Sequence, residues 1–206
     1  DLVILIANIH AISKSLNEPI VVLAQKNTHA HEILKYDPYV KEVIDLDKKG
    51  LFSIIKKVKP RKFTQSYIYS DSLRLLFISK FCGIRENFQY KLFSKKKKNF
   101  FRTAQEFTQN ILNIKIETQP KIFVNRNDVN SAIKKFNISN KTKNIICGIS
   151  ASGPTKRWDV KNYIKLFENI NKKTICKFFL AGGAADQKII DEILSSSIGI
   201  TLSFDI

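Results

Sequence analysis

Methionine is absent from these 206 residues, tryptophan occurs once and cysteine three times. Cys82, Cys147 and Cys176 are dispersed, odd in number and set among apolar neighbours, with no CxxC pair. This argues against a disulfide framework and a cysteine-built metal centre, and fits reduced, buried thiols in a cytoplasmic protein. Histidine is equally scarce. His10, His29 and His31 have no carboxylate or cysteine at ligand spacing, and the last two are expected at the surface near a helix start. No apolar run reaches the length of a bilayer-spanning helix, no signal peptide is visible, and no repeat of about 20–50 residues recurs. Acidic residues number 18 against 35 basic ones, a net charge of +17. Such an excess attracts nucleic acid, anionic headgroups or phosphorylated substrates, although abundant Lys, Asn and Ile are also what AT-rich codon usage produces. Hydrophobic residues make up 44% of the chain, enough for a packed core. Without a starting methionine, and with apolar runs at its opening and its close, the chain reads as a fragment missing both natural ends.

What is present is an alternation of short apolar runs with helical patterns. Residues 2–7 read as a strand and 9–16 as a helix. A strand follows over 19–24, then a helix over 28–36 stopped near Pro38. Residues 42–46 read as a strand, 51–58 as a helix closed by Pro60, and 62–69 as a further strand. The next helix is capped by Asp71 and terminated by Gly83. This alternation predicts a parallel sheet with helices on both faces. The pattern breaks over 88–102, where Lys95, Lys96, Lys97 and Lys98 stand between Phe93 and Phe100. Helical signal returns over 103–112 and 128–136, and the polar stretch 137–144 reads as an interdomain linker. A second series follows: a strand over 145–149, a loop, a helix capped by Asp159, a strand over 175–181, a Gly182-Gly183 turn and a helix over 186–194. The prediction is an α/β chain of two Rossmann-like domains, residues 1–140 and 141–206, the second truncated.

Chemistry concentrates in the second series. Gly148-Ile149-Ser150-Ala151-Ser152-Gly153-Pro154-Thr155-Lys156-Arg157-Trp158-Asp159 joins a strand end to a helix start through small residues. Amides at a helix start attract phosphate. The hydroxyls of Ser150, Ser152 and Thr155 add donors, and Lys156 adds charge. An ordinary βα loop can share this composition. Gly182-Gly183-Ala184-Ala185-Asp186 lets the backbone turn sharply beside a ligand. It lacks the GxGxxG spacing and the acidic residue of a nicotinamide-dinucleotide site. Trp158 is expected to pack its loop against the domain. The run Lys95 to Lys98 reads either as a solvated loop or as a contact for the phosphorylated core of a lipid-linked acceptor or an anionic leaflet.

Four stretches carry a resemblance. Asp1 opens an apolar run. Tyr36-Asp37-Pro38-Tyr39-Val40-Lys41-Glu42-Val43-Ile44 and Cys82-Gly83-Ile84-Arg85 follow. Ala151-Ser152 with Lys156-Arg157-Trp158 then precedes a strand, two glycines and an acidic residue. In this order they resemble glycosyltransferase family 9, the bacterial ADP-heptose:lipopolysaccharide heptosyltransferases, over nearly the whole chain. The resemblance implies a GT-B architecture, with the acceptor on the N-terminal domain and the nucleotide-sugar on the C-terminal one. It implies inverting transfer with Asp1 as the base. Ser152, Thr155 and Lys156 would stabilise the departing diphosphate. Gly182, Gly183 and Asp186 would lie near the donor nucleotide, and Lys95, Lys96, Lys97 and Lys98 would meet the acceptor or the membrane. It implies no metal and no cofactor, no nucleic-acid partner, and a cytoplasmic enzyme in peripheral contact with the inner membrane. There are departures. Ala184 stands where some heptosyltransferases place a Glu at the donor ribose, with Asp186 the candidate substitute. The family's later Asp-Ser/Thr-Gly-Pro-x-His stretch falls beyond Ile206, so the fragment alone is expected to be inactive. Two alternatives stand beside this reading. One is a basic Rossmann-like module for nucleic acid or another anionic ligand without catalysis, although no RNP, KH or helix-turn-helix signature is found. The other is a non-catalytic family member.

Overall fold

The computed structural model describes residues 2–46, 50–90, 99–116, 119–151, 153–196 and 203–205. The chain divides into two compact units, Asp1–Val124 and Asn125–Ile206.

The first unit opens with a helix, α1 (Leu2–Leu16), where the sequence predicts a strand over 2–7. The run lacks polar interruptions because α1 is covered on two sides. Leu2, Ile6 and Ile9 pack with strands β1 (Ile20–Ala24) and β2 (Val40–Asp45). Ala7 and Ala11 pack with Ile116 and Leu112. A stripe this wide erases the periodicity that separates helix from strand.

β1 and β2 pair in parallel, with Val22 opposite Val43. Successive residues of β1 face opposite layers. Ile20, Val22 and Ala24 join α1 and the one-turn α2 (Ala30–Ile33). Val21 and Leu23 join the cluster of α3 (Leu51–Val58) and α4 (Leu73–Phe81). Helices thus cover both faces, as the alternation predicts. The helix expected over 28–36 shrinks to α2 because His29 adopts a left-handed φ of 53° just before it. β3 (Gln65–Ile68) and β4 (Glu86–Gln89) form another parallel pair, with Tyr67 stacked on Phe88 at 5.1 Å. Among the described residues the two pairs are separate two-stranded sheets. Ser79 on α4 lies 2.9 Å from Ser66 Oγ, and Ser66 donates to Asn87 Oδ1 at 2.9 Å, tying the helix to both strands. Gly83, at φ 79°, ends α4 as expected; Ser72 rather than Asp71 stands at its start. The last helix of this unit, α5 (Phe100–Leu112), begins earlier than the expected 103, because the Asn99 side chain accepts from the Phe101 amide at 2.9 Å.

His10 on α1 has a partner that spacing did not reveal. Its Nε2 lies 2.7 Å from Asp37 Oδ2, 27 residues away, and both side chains are buried. Asp37 Oδ1 accepts from the Tyr39 amide at 3.0 Å, so one carboxylate anchors α1 to the turn before β2. Replacing Asp37 by Ala leaves both donors unsatisfied. The expected loss is about 3 kcal/mol of stability by chemical denaturation. The His10→Ala, Asp37→Ala double variant should lose less than the sum of the singles. His29 and His31 are exposed, beside Glu32 and Asp45.

The second unit contains α6 (Arg126–Lys135), β5 (Lys143–Gly148), α7 (Val160–Asn171), β6 (Cys176–Ala181), α8 (Gln187–Ser195) and β7 (Ser203–Asp205). β6 is central in a parallel sheet of order β5-β6-β7. Its core holds Ile149, Phe167, Phe178 and Ile193, with the two phenyl rings 4.6 Å apart. The three cysteines are free thiols. Burial pushes each thiol up, which keeps them protonated and unreactive at neutral pH. No helix among the described residues is long and apolar enough to cross a membrane.

Candidate functional site

β5 and β6 run side by side with Gly148 opposite Ala181, and the Ile149 amide donates to the Ala181 carbonyl at 3.0 Å. The loops leaving these strands therefore emerge together at the carboxyl edge of a parallel sheet, the edge at which open α/β sheets bind ligands.

The first loop contains a short 3-10 turn, Pro154–Lys156, closed by the Lys156 amide donating to the Gly153 carbonyl at 3.0 Å. Thr155 and Lys156 are exposed on it. Asp159 then caps α7, its carboxylate accepting from the Lys161 amide at 3.1 Å, as the sequence predicts. That carboxylate occupies one amide of the helix start. Trp158 packs edge-on against Tyr163 at 5.0 Å and so seats the loop on α7.

The second loop is Gly182, Gly183 and a 3-10 turn, Ala184–Asp186. The Gly183 amide donates to Asp186 Oδ2 at 2.9 Å, and the Asp186 amide donates to the Gly183 carbonyl at 2.8 Å. This reciprocal cap closes the turn. The two glycines differ. A Cβ on Gly182 would stand 3.2 Å from Asp186 Cβ and 3.2 Å from Ile149 Cγ1, whereas one on Gly183 would meet nothing nearer than 3.8 Å. Gly182→Ala is expected to cost about 1–3 kcal/mol through overpacking. Gly183→Ala should be close to neutral. Denaturant melts followed by Trp158 fluorescence compare the two.

Asp186 is the residue whose place differs most from expectation. Its side chain is not turned outward to a ribose but is buried, with the residue 1% exposed. The Gly183 amide first, then the Ser150 hydroxyl, hold its carboxyl below the usual range, with the Arg157 charge assisting and burial opposing. Arg157 Nη2 lies 3.3 Å from Asp186 Oδ1. A carboxyl depressed in the folded state stabilises that state above the ordinary carboxylate range. The contribution disappears as pH falls through the lowered value. The contact between Arg157 and Asp186 has no local signal in the sequence, because the two residues sit on different loops.

Arg157 thus ties the loop that carries Thr155 and Lys156 to the turn that carries Gly182, Gly183 and Asp186. Asp1, Ser152, Lys95, Lys96, Lys97 and Lys98 lie outside the described residues. Among the described residues no group of three His, Cys, Asp or Glu side chains is arranged to hold a metal ion.

No protein-family model matches the sequence, and no curated protein matches it. Solved structures do. The E. coli ADP-heptose LPS heptosyltransferase II aligns with a TM-score of 0.73 and 16% identity, over 96% of this chain and 67% of its own. A family 9 glycosyl transferase from Veillonella parvula aligns at 0.69 and 14%, over 92% and 62%. The E. coli heptosyltransferase WaaC with ADP-2-deoxy-2-fluoro heptose aligns at 0.64 and 8%, over 100% and 73%. The chain therefore spans roughly two thirds of each of these proteins, and its fold is that of the family 9 heptosyltransferases.

Proposed function

We propose that this chain serves an inverting glycosyltransferase that moves a sugar, with heptose the first candidate, from a nucleotide-sugar such as ADP-heptose to a lipopolysaccharide-core acceptor. The observation that carries this reading is the pair of loops at the carboxyl edge of β5 and β6 in a chain of heptosyltransferase-like fold. In the reaction, an acceptor oxygen bonds to the anomeric carbon while the bond from that carbon to the β-phosphate oxygen breaks. Asp1 takes the acceptor proton. The departing diphosphate gathers negative charge, and Ser152, Thr155 and Lys156 lie on the loop that would meet it. Gly182 and Gly183 stand on the nucleotide side. Asp186 acts there through the loops it holds, since its carboxylate is buried. Lys95, Lys96, Lys97 and Lys98 are assigned to the phosphorylated acceptor or the cytoplasmic face of the inner membrane. No metal is required, because loop amides and a lysine supply the positive potential.

Thermal melting tests the reading. ADP-heptose at about 100 times its Kd should stabilise the protein by about 2.7 kcal/mol, while an oligonucleotide leaves it unchanged. Stabilisation by the oligonucleotide and not by the nucleotide-sugar would overturn it in favour of a nucleic-acid module.

A further inference from the structure

Adjacent cations on one loop invite the assumption that both meet the anion. The structure separates them. Lys156 is exposed on the 3-10 turn and makes no ion pair among the described residues. Arg157, also exposed, has a partner: its guanidinium forms an ion pair at 3.3 Å with Oδ1 of a carboxylate whose side chain is 2% exposed. The other oxygen of that carboxylate closes the Gly182-Gly183 turn through the Gly183 amide. Asp186 is thus one buried anion met by both loops, through Arg157 on the first and the Gly183 amide on the second, and a Cβ on Gly182 would crowd both Asp186 Cβ and Ile149 Cγ1.

We propose that Asp186 and Arg157 form a latch that fixes loop 150–158 to the Gly182-Gly183 turn, reserving Arg157 for the fold and leaving Lys156 as the cation offered to a phosphorylated ligand. Asp186 and Arg157 are positioning residues. Removing either partner leaves a charge without its counter-ion and frees the loop, while removing Lys156 costs the fold nothing. The ligand half of the proposal rests on the glycosyltransferase reading. The latch itself does not.

The two halves are tested separately on the whole 206-residue chain. Hydrogen exchange without ligand reads the latch. In Arg157→Gln and Asp186→Asn, amides of 150–158 and 182–187 should exchange at least about tenfold faster, with those of unit 1 unchanged. Arg157→Lys should restore part of the protection, and Lys156→Gln should match the parent. Asp186→Asn keeps an acceptor for the Gly183 amide, so it separates loss of charge from loss of the cap. Equal exchange in all variants overturns the latch. Titration with ADP across a salt series reads the ligand half. Exposed charge contacts are screened by salt. Lys156→Gln should weaken ADP binding and flatten its salt dependence. Arg157→Gln should weaken binding about tenfold while keeping the parent's salt dependence. A flattened dependence in Arg157→Gln would place Arg157 on the diphosphate and overturn the division of labour. Unaltered ADP affinity in that variant would also overturn it. Should the parent chain bind no ADP while the exchange result holds, the latch stands and the ligand half, with Lys156 offered to a phosphorylated ligand, is what fails.

Discussion

Phe178→Ala is expected to remove about 3–5 kcal/mol from the stability of the second unit. Phe178 lies on the central strand β6, has no exposed surface, and packs its ring 4.6 Å from that of Phe167 on α7. Truncation there opens a cavity between the sheet and α7, the helix that follows the loop after β5. Small units are stable by about 5–15 kcal/mol in total, so a loss of this size takes a large share of the margin. The single tryptophan, Trp158, belongs to the second unit and packs on Tyr163 of α7. Its fluorescence therefore follows that unit through a denaturant titration, while tyrosine signals from the first unit give the control. A midpoint unmoved in the Trp158 channel would show that β6 and α7 do not share one cooperative core.

The second large effect concerns catalysis. Asp1→Asn should lower sugar transfer by about 10²–10⁴-fold in a transfer-competent form of the protein while leaving affinity for the nucleotide-sugar unchanged. Asparagine preserves shape and hydrogen-bond acceptance but cannot take the acceptor's proton. A carboxylate with an ordinary pKa near 4 is a weak base in water, so its contribution depends on being held against the attacking hydroxyl. Turnover equal to the parent's would remove Asp1 from the role. A joint fall in turnover and donor affinity would instead mark it as a structural residue.

From β5 to α8 the second unit was legible element by element because its punctuation is local, whereas α6, expected before an interdomain linker, falls in the second unit. Asp159 caps α7 through an amide two positions on, and Gly182-Gly183 announces the turn before α8. The opening of the chain was misread for the opposite reason. Leu2 to Ile12 is apolar on nearly every side because α1 is buried between the β1–β2 layer and the α5 end, and a helix covered twice loses the alternation that identifies it. β4 was missed where its four residues, Glu86–Gln89, mix charged, amide and aromatic side chains without an apolar run. The polar pairs were illegible in principle. His10 finds Asp37, and Arg157 finds Asp186, only after the chain has folded, so residue spacing carries no trace of either. The family motif marked Arg157 without revealing that it lies beside a buried carboxylate.

The separated strand pairs of the first unit have a practical outcome for handling this chain. Among the described residues β1 pairs only with β2 and β3 only with β4, so backbone donors and acceptors line edges that another extended segment can join. Mutual repulsion from a net charge of +17 opposes such joining between copies in dilute buffer. Raising the ionic strength shortens the reach of that repulsion to a few ångströms. Concentrated stocks should therefore stay clear at low salt and begin to scatter light as sodium chloride is added, the reverse of a protein that salt keeps in solution.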